Sequence, residues 1–235
     1  NIKTELEQLL SPLQHNSIAI ALPEPRSGID TKIDFTYMHL AAALRLYSYS
    51  DFTAAALPYL IHEAAQGRVS SIAAQAMIIA RDLNKELANG MHNAVVCTED
   101  VTFITTETLN DTAIDRSYLR RYFVETLQAM CSVWPRGVLD ADFHAPLTSD
   151  VPALLLSGAN DPVTPMSYGE LAVRGFKNGK HIVTPGKGHG QLNNVCVAHV
   201  MTSFIEQGSS ADLKTQCVTK QNAAPFLLNA SSPGR

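Results

Sequence analysis

Charge of either sign is scarce in this chain: Asp, Glu, Lys and Arg make up 17 % of its 235 residues, and the formal net charge is −4. The few Lys and Arg are scattered, so no basic field awaits a nucleic acid and no such partner is expected. Long apolar runs are missing as well; none approaches the roughly 18 residues that cross a bilayer, and no membrane partner is expected. Asn1 to Gln8 carry charges where an export signal would carry its apolar core, which says nothing of export if the chain has an upstream part. Neither a Cys-x-x-Cys pair nor a cysteine with His at finger spacing occurs, so no metal site is expected, nor any other cofactor. Absent too is the pentapeptide Gly-x-Ser-x-Gly, which would set a nucleophilic serine on a strand–turn–helix elbow.

What is present is a chain of 46 % hydrophobic residues, enough for a substantial core. Residues 1–92 read as mainly helical. Ser17–Leu22 and Ile29–Phe35 flank Pro23-Glu24-Pro25-Arg26-Ser27-Gly28 as a hairpin. Asp34 is placed to cap a helix carrying Met38, Leu44 and Tyr47, a second helix starts near Ala54–Pro58 and ends at Gly67, and a third runs from Ser70 or Ser71 to about Ala88. From residue 93 the pattern changes to α/β. Strands are expected at Asn93–Cys97, Val151–Leu156 and Lys180–Val183, and helices at Asp115–Ser132, Ser167–Gly175 and Leu192–Gln207. The Ser/Pro/Gly-rich tail 229–235 is expected to fray.

In open α/β sheets, functional groups gather at the carboxyl ends of strands. Three candidates sit there: Glu99, Asp161 and His189. Asp161-Pro162 turns the chain sharply out of its strand, and Gly186, Gly188 and Gly190 free the loop that presents His189. An Asp that accepts the imidazole Nδ1–H would leave Nε2 to take a nucleophile's proton, in the chain order Ser…Asp…His. Ser70, Ser71, Ser157, Ser209 and Ser210 lack the elbow, and none is read as that nucleophile. Cys97, Cys131, Cys196 and Cys217 leave two readings open: two disulfides, of which the pairs nearest in sequence are Cys97–Cys131 and Cys196–Cys217, or four buried thiols.

The segment Pro152-Ala153-Leu154-Leu155-Leu156-Ser157-Gly158-Ala159-Asn160-Asp161-Pro162-Val163-Thr164-Pro165, with Gly188-His189-Gly190, resembles the acid and histidine motifs of α/β-hydrolases. Val96-Cys97-Thr98-Glu99-Asp100, Cys131 before Trp134-Pro135, and Cys196 leading to Cys217 and Pro225-Phe226 resemble the tripeptidyl aminopeptidase and proline iminopeptidase-like serine peptidases. The resemblance implies the C-terminal portion of an α/β-hydrolase fold, residues 93–228, preceded by a helical lid, residues 1–92. It implies Asp161 and His189 as catalytic, a peptide or small ester as substrate, disulfide-bonded cysteines, and a periplasmic or secreted protein.

Glu99 then either binds the substrate's α-ammonium or serves as a structural acceptor at a strand end. The early strands, the oxyanion hole and the nucleophile of such enzymes have no counterpart here, so the chain by itself is expected to be inactive. Asn93–Cys97 would present an open strand edge to the missing N-terminal half or to a second copy of the chain. A carboxylesterase or lipase, and a non-catalytic interaction module, are the alternative readings.

Overall fold

The computed structural model describes residues 1–23 and 28–233. The chain divides into two compact units, each drawn from separate stretches of sequence. One comprises Asn1–Leu9, Ala43–Ile72 and Pro146–Arg235; the other comprises Leu10–Ala42 and Ala73–Ala145. The lid–core boundary read at residue 92 falls inside the second unit.

The chain opens with α1 (Ile2–Leu13), whose Leu10 and Leu13 are buried. Strands β1 (Ile18–Pro23) and β2 (Asp30–Phe35) pair antiparallel from Ile18↔Phe35 to Pro23↔Asp30; the turn residues Glu24–Ser27 lie outside the described residues. Helix α2 (Tyr37–Tyr47) follows. Its cap differs from the expectation. Asp34 is still a strand residue, and the Thr36 hydroxyl accepts the His39 N–H at 3.4 Å instead, because the strand pairing continues to Phe35. The helix expected from near Ala54–Pro58 to Gly67 is α4 (Leu57–Ala65), with Pro58 in its first turn, and a short α3 (Asp51–Ala54), capped by Ser50, precedes it. Gly67 follows with φ +86°, a left-handed stop. Helix α5 spans Ser70–Glu86.

The next element corrects the sequence reading. Asn93–Cys97 is not a strand but lies within helix α6 (Asn89–Glu99), followed by a 3₁₀ turn at Val101–Phe103. Four consecutive apolar residues are too few to establish a period of two, and a helix puts Cys97 and Val101 on one face. That face packs with Leu127, Met130, Cys131 and Trp134 around the Cys97–Cys131 disulfide. The strand edge expected here therefore does not exist. The helix expected over Asp115–Ser132 is likewise broken, into α7 (Asp111–Arg116) and α8 (Tyr122–Val133). Between them Arg120 takes φ +45°, which ends helical continuity.

In the first unit, β3 (Ala153–Gly158) and β4 (Gly179–Thr184) run parallel, in the register Ala153↔Gly179 to Gly158↔Thr184. They are joined through α9 (Met166–Ala172) and a 3₁₀ turn, Val173–Gly175. A parallel pair linked by a helix is an α/β unit. Ala153–Ser157 are each half-buried, so the leucine-rich strand is less fully covered than its lack of alternation predicts. Among the described residues β3 pairs with β4 alone, and an isolated parallel bridge joins Ser149 and Phe176 outside the strands.

Helix α10 (Val195–Gln207) is capped at both ends. The Asn194 side chain accepts the N–H groups of Cys196 and Val197, and Gly208 at φ +60° terminates it. Its Val197 and Val200 pack with Ile182, Leu213 and Val218 into the core under the sheet, with Leu154 and Leu156 against it. The Cys196–Cys217 disulfide ties α10 to α11 (Gln216–Thr219). Of the tail expected to fray, 229–235, residues up to Pro233 enter a short antiparallel pair, β5 (Leu227–Asn229) with β6 (Ser232–Pro233), and Gly234 and Arg235 lie outside the described residues. The Leu227 N–H also bonds the Ala55 carbonyl at 2.9 Å.

Candidate active site

Both strands of the parallel pair end in loops that turn toward one another. After β3, the Asp161 N–H bonds back to the Gly158 carbonyl, the Ala159 N–H to Thr184 at 3.0 Å, and the Asn160 N–H to Lys187 at 2.9 Å. The two loops pack without room for one more carbon: a Cβ on Gly158 would overlap the carbonyl oxygen of Gly188. This close approach brings together residues 28 positions apart in sequence.

Asp161 Oδ2 lies 2.9 Å from His189 Nδ1. With a carboxylate as the acceptor, Nδ1 carries the proton and Nε2 is left as the basic nitrogen. The remaining lone pairs of Asp161 are all engaged. Oδ1 accepts the N–H groups of Val163 at 2.8 Å and Thr164 at 2.9 Å, and Oδ2 accepts the Thr164 hydroxyl at 2.9 Å. Only 4 % of the Asp161 side chain is exposed, against 40 % for His189, so the acid is sheltered while the imidazole reaches solvent. Burial raises the pKa of the carboxyl. The N–H groups of Thr164 and Val163, then His189 and the Thr164 hydroxyl, outweigh it and hold Asp161 below its ordinary value. An acid kept ionised beside an exposed imidazole can fix the tautomer and stabilise an imidazolium.

A cleft of about 640 Å³ opens beside the imidazole, lined by His189, Asp51, Phe52, Lys187, Gln191 and Asn194 among others. Thr164 was not singled out in the sequence. Its signal is the spacing Asp161-x-x-Thr164, which lets one carboxylate close a turn through both a backbone N–H and a hydroxyl.

The other candidates fall elsewhere. Glu99 is the last residue of α6, half-buried, in the second unit and not in the unit that holds Asp161 and His189. Ser157 meets a different histidine: its Oγ is 2.9 Å from His181 Nε2. That pair sits beneath α9, where a Cβ on Gly169 would crowd the ring, and among the described residues no acid bonds His181. All four cysteines are in disulfides, Cys97–Cys131 and Cys196–Cys217, with Cα separations of 5.1 and 6.0 Å. Bonds of this kind persist in an extracellular or periplasmic environment. Among the described residues no helix is long and apolar enough to cross a membrane, and no cluster of three or more His, Cys, Asp or Glu side chains could hold a metal ion.

No curated protein and no solved structure matches the chain. Residues 116–217 match the family model described as TAP-like protein, of the α/β-hydrolases, and that stretch includes Cys131, Asp161, His189, Cys196 and Cys217. That match is consistent with the C-terminal region of a tripeptidyl aminopeptidase-like α/β-hydrolase.

Proposed function

We propose that Asp161 and His189 are the acid and base of a serine aminopeptidase that releases residues or short peptides from peptide N-termini. The observation that carries this is the 2.9 Å contact between Asp161 Oδ2 and His189 Nδ1, with every other acceptor position of the acid occupied. In such an enzyme His189 Nε2 removes the proton of a serine hydroxyl as that oxygen attacks the scissile carbonyl, then returns it to the leaving amine. The serine comes from polypeptide outside these residues, because no elbow motif lies within them. An N-terminal half of the fold that carries that serine would pair at the edge of β3 that no strand covers among the described residues. The two disulfides support a site of action in the periplasm or outside the cell.

Glu99 belongs to the same proposal as the group that binds the substrate's α-ammonium. As the last residue of α6 its charge sits at the unfavourable, negative end of a helix, where a cationic ligand would relieve it.

The test has two stages. The purified chain is expected to take no label from a serine-directed fluorophosphonate; stoichiometric labelling would place the nucleophile within it. In the polypeptide that carries the nucleophile, His189→Ala and Asp161→Asn should each lower kcat on free-amine peptide anilides, the latter by about 10⁴. Glu99→Gln should raise KM for those substrates and spare N-blocked esters. Activity indifferent to both Asp161 and His189 would overturn the reading, and activity on esters alone would make the protein an esterase.

A further inference from the structure

Between α2 and α3 the chain makes a turn at Tyr49 and Ser50, a stretch that sequence alone assigns to the lid. In the structure this turn belongs to the same compact unit as His189 and touches its loop at three points. The Tyr49 ring meets the His189 imidazole edge-on, with centroids 5.5 Å apart and planes at 65°. The Tyr49 backbone carbonyl lies so close to Gly188 that a Cβ there would overlap it. Asp51 Oδ2 accepts the Lys187 ammonium at 2.7 Å and the Ala224 N–H at 3.0 Å. These two charged side chains are only 10 % and 19 % exposed. Behind Tyr49, the Arg45 guanidinium lies 5.8 Å from the ring centroid.

A hydrogen bond from Nδ1 to Asp161 fixes one atom of the imidazole but lets the ring swing about the axis of that bond. A second contact off that axis removes the freedom and so determines where Nε2 points. Tyr49 supplies it. The Asp51–Lys187 pair does the same for the backbone: Lys187 is held by Asp51 on one side, while its carbonyl is held by the Asn160 N–H at 2.9 Å on the other. Sheltered ion pairs add little net stability once desolvation is counted, and what they retain is defined geometry.

We propose that Tyr49, Asp51 and Lys187 are positioning residues that fix the direction of His189 Nε2. Their value to catalysis rests on the hydrolase reading above; their effect on the ring does not. In a rate, a misdirected Nε2 appears as lost attack geometry rather than lost binding.

The decisive experiment is proton and nitrogen magnetic resonance of the oxidised, isotopically labelled chain, which needs no nucleophile. The unmodified chain should give a cross-relaxation peak between the Tyr49 ring and the His189 imidazole, and a downfield His189 Nδ1–H signal. Tyr49→Leu and Asp51→Asn should speed exchange of that proton by about tenfold or more, as a loosened ring meets water more often. Lys187→Arg should restore the slow exchange that Lys187→Met loses. Absence of the Tyr49–His189 peak in the unmodified chain overturns the proposal whether or not any variant folds. Unchanged exchange in Tyr49→Leu and Lys187→Met overturns it equally.

In the nucleophile-bearing polypeptide, Tyr49→Leu should lower kcat about tenfold with KM unchanged. Failure of the hydrolase reading shows instead as activity indifferent to His189, with the resonance results intact.

Discussion

Asp161 is both the most sheltered carboxylate of the site and the most fully bonded, and its stability contribution has a definite sign in pH. Its pKa lies below the ordinary aspartate value in the folded chain, so the folded state favours its ionised form. That stabilisation is complete above the unfolded-state pKa and is lost as pH falls through the lowered folded-state value. Urea unfolding of the wild-type chain and of Asp161→Asn, compared at a series of pH values, should show a gap that is largest near neutrality. The gap should close in the acid range; one constant across pH would contradict it. The pairing of Asp161 with His189 was readable in the sequence, because Asp-Pro and Gly-x-Gly mark the loops that follow the two strands. Thr164 was not, since a threonine three residues from an aspartate is common in turns. Lys187 and Asp51 were not readable either, being 136 residues apart with nothing local to join them.

Among elements, the β3–β4 pair and its two loops carry the site, and their fit tolerates little. Gly158→Ala would place a methyl group on the Gly188 carbonyl, and neither backbone can yield without breaking the Asn160–Lys187 bond. A loss of about 2–3 kcal/mol is expected, typical of overpacking, with exchange protection lost at Asn160. Gly190→Ala is the control: φ is +82° but no atom lies within 4 Å of its Cβ, so about 1 kcal/mol of backbone strain is the whole cost. Denaturant unfolding of both variants checks the contrast. These strands were legible because Leu154-Leu155-Leu156 and Ile182-Val183 are apolar runs closed by turn residues. Asn93–Cys97 looked similar, yet it is helical. Its apolar residues follow Asn89-Gly90-Met91-His92 with no turn before them, and the disulfide to α8 holds one helical face inward.

For the whole molecule, each disulfide closes within one unit and none links the two. Sequence separations of 34 and 21 residues make each bond worth about 3–4 kcal/mol in the chain-entropy picture. Cys97→Ser/Cys131→Ser and Cys196→Ser/Cys217→Ser should each lower stability by about that amount, with losses that add. Hydrogen exchange should report each loss in its own unit, and a shared loss would refute the separation. The division itself could not be read from sequence. The pattern of expected elements changes at residue 93, but the contacts that define a unit join stretches far apart along the chain.

The chain passes from one unit to the other four times, and the passages at 9/10, 42/43 and 72/73 fall inside α1, α2 and α5. No single cut therefore yields either unit whole. A deletion at residue 92 would keep all four cysteines and both Asp161 and His189 in one piece. It would also discard Tyr49 and Asp51, the two residues that grip the histidine loop. Anyone trimming this protein for crystallisation or engineering would retain the recognisable motifs and lose their support.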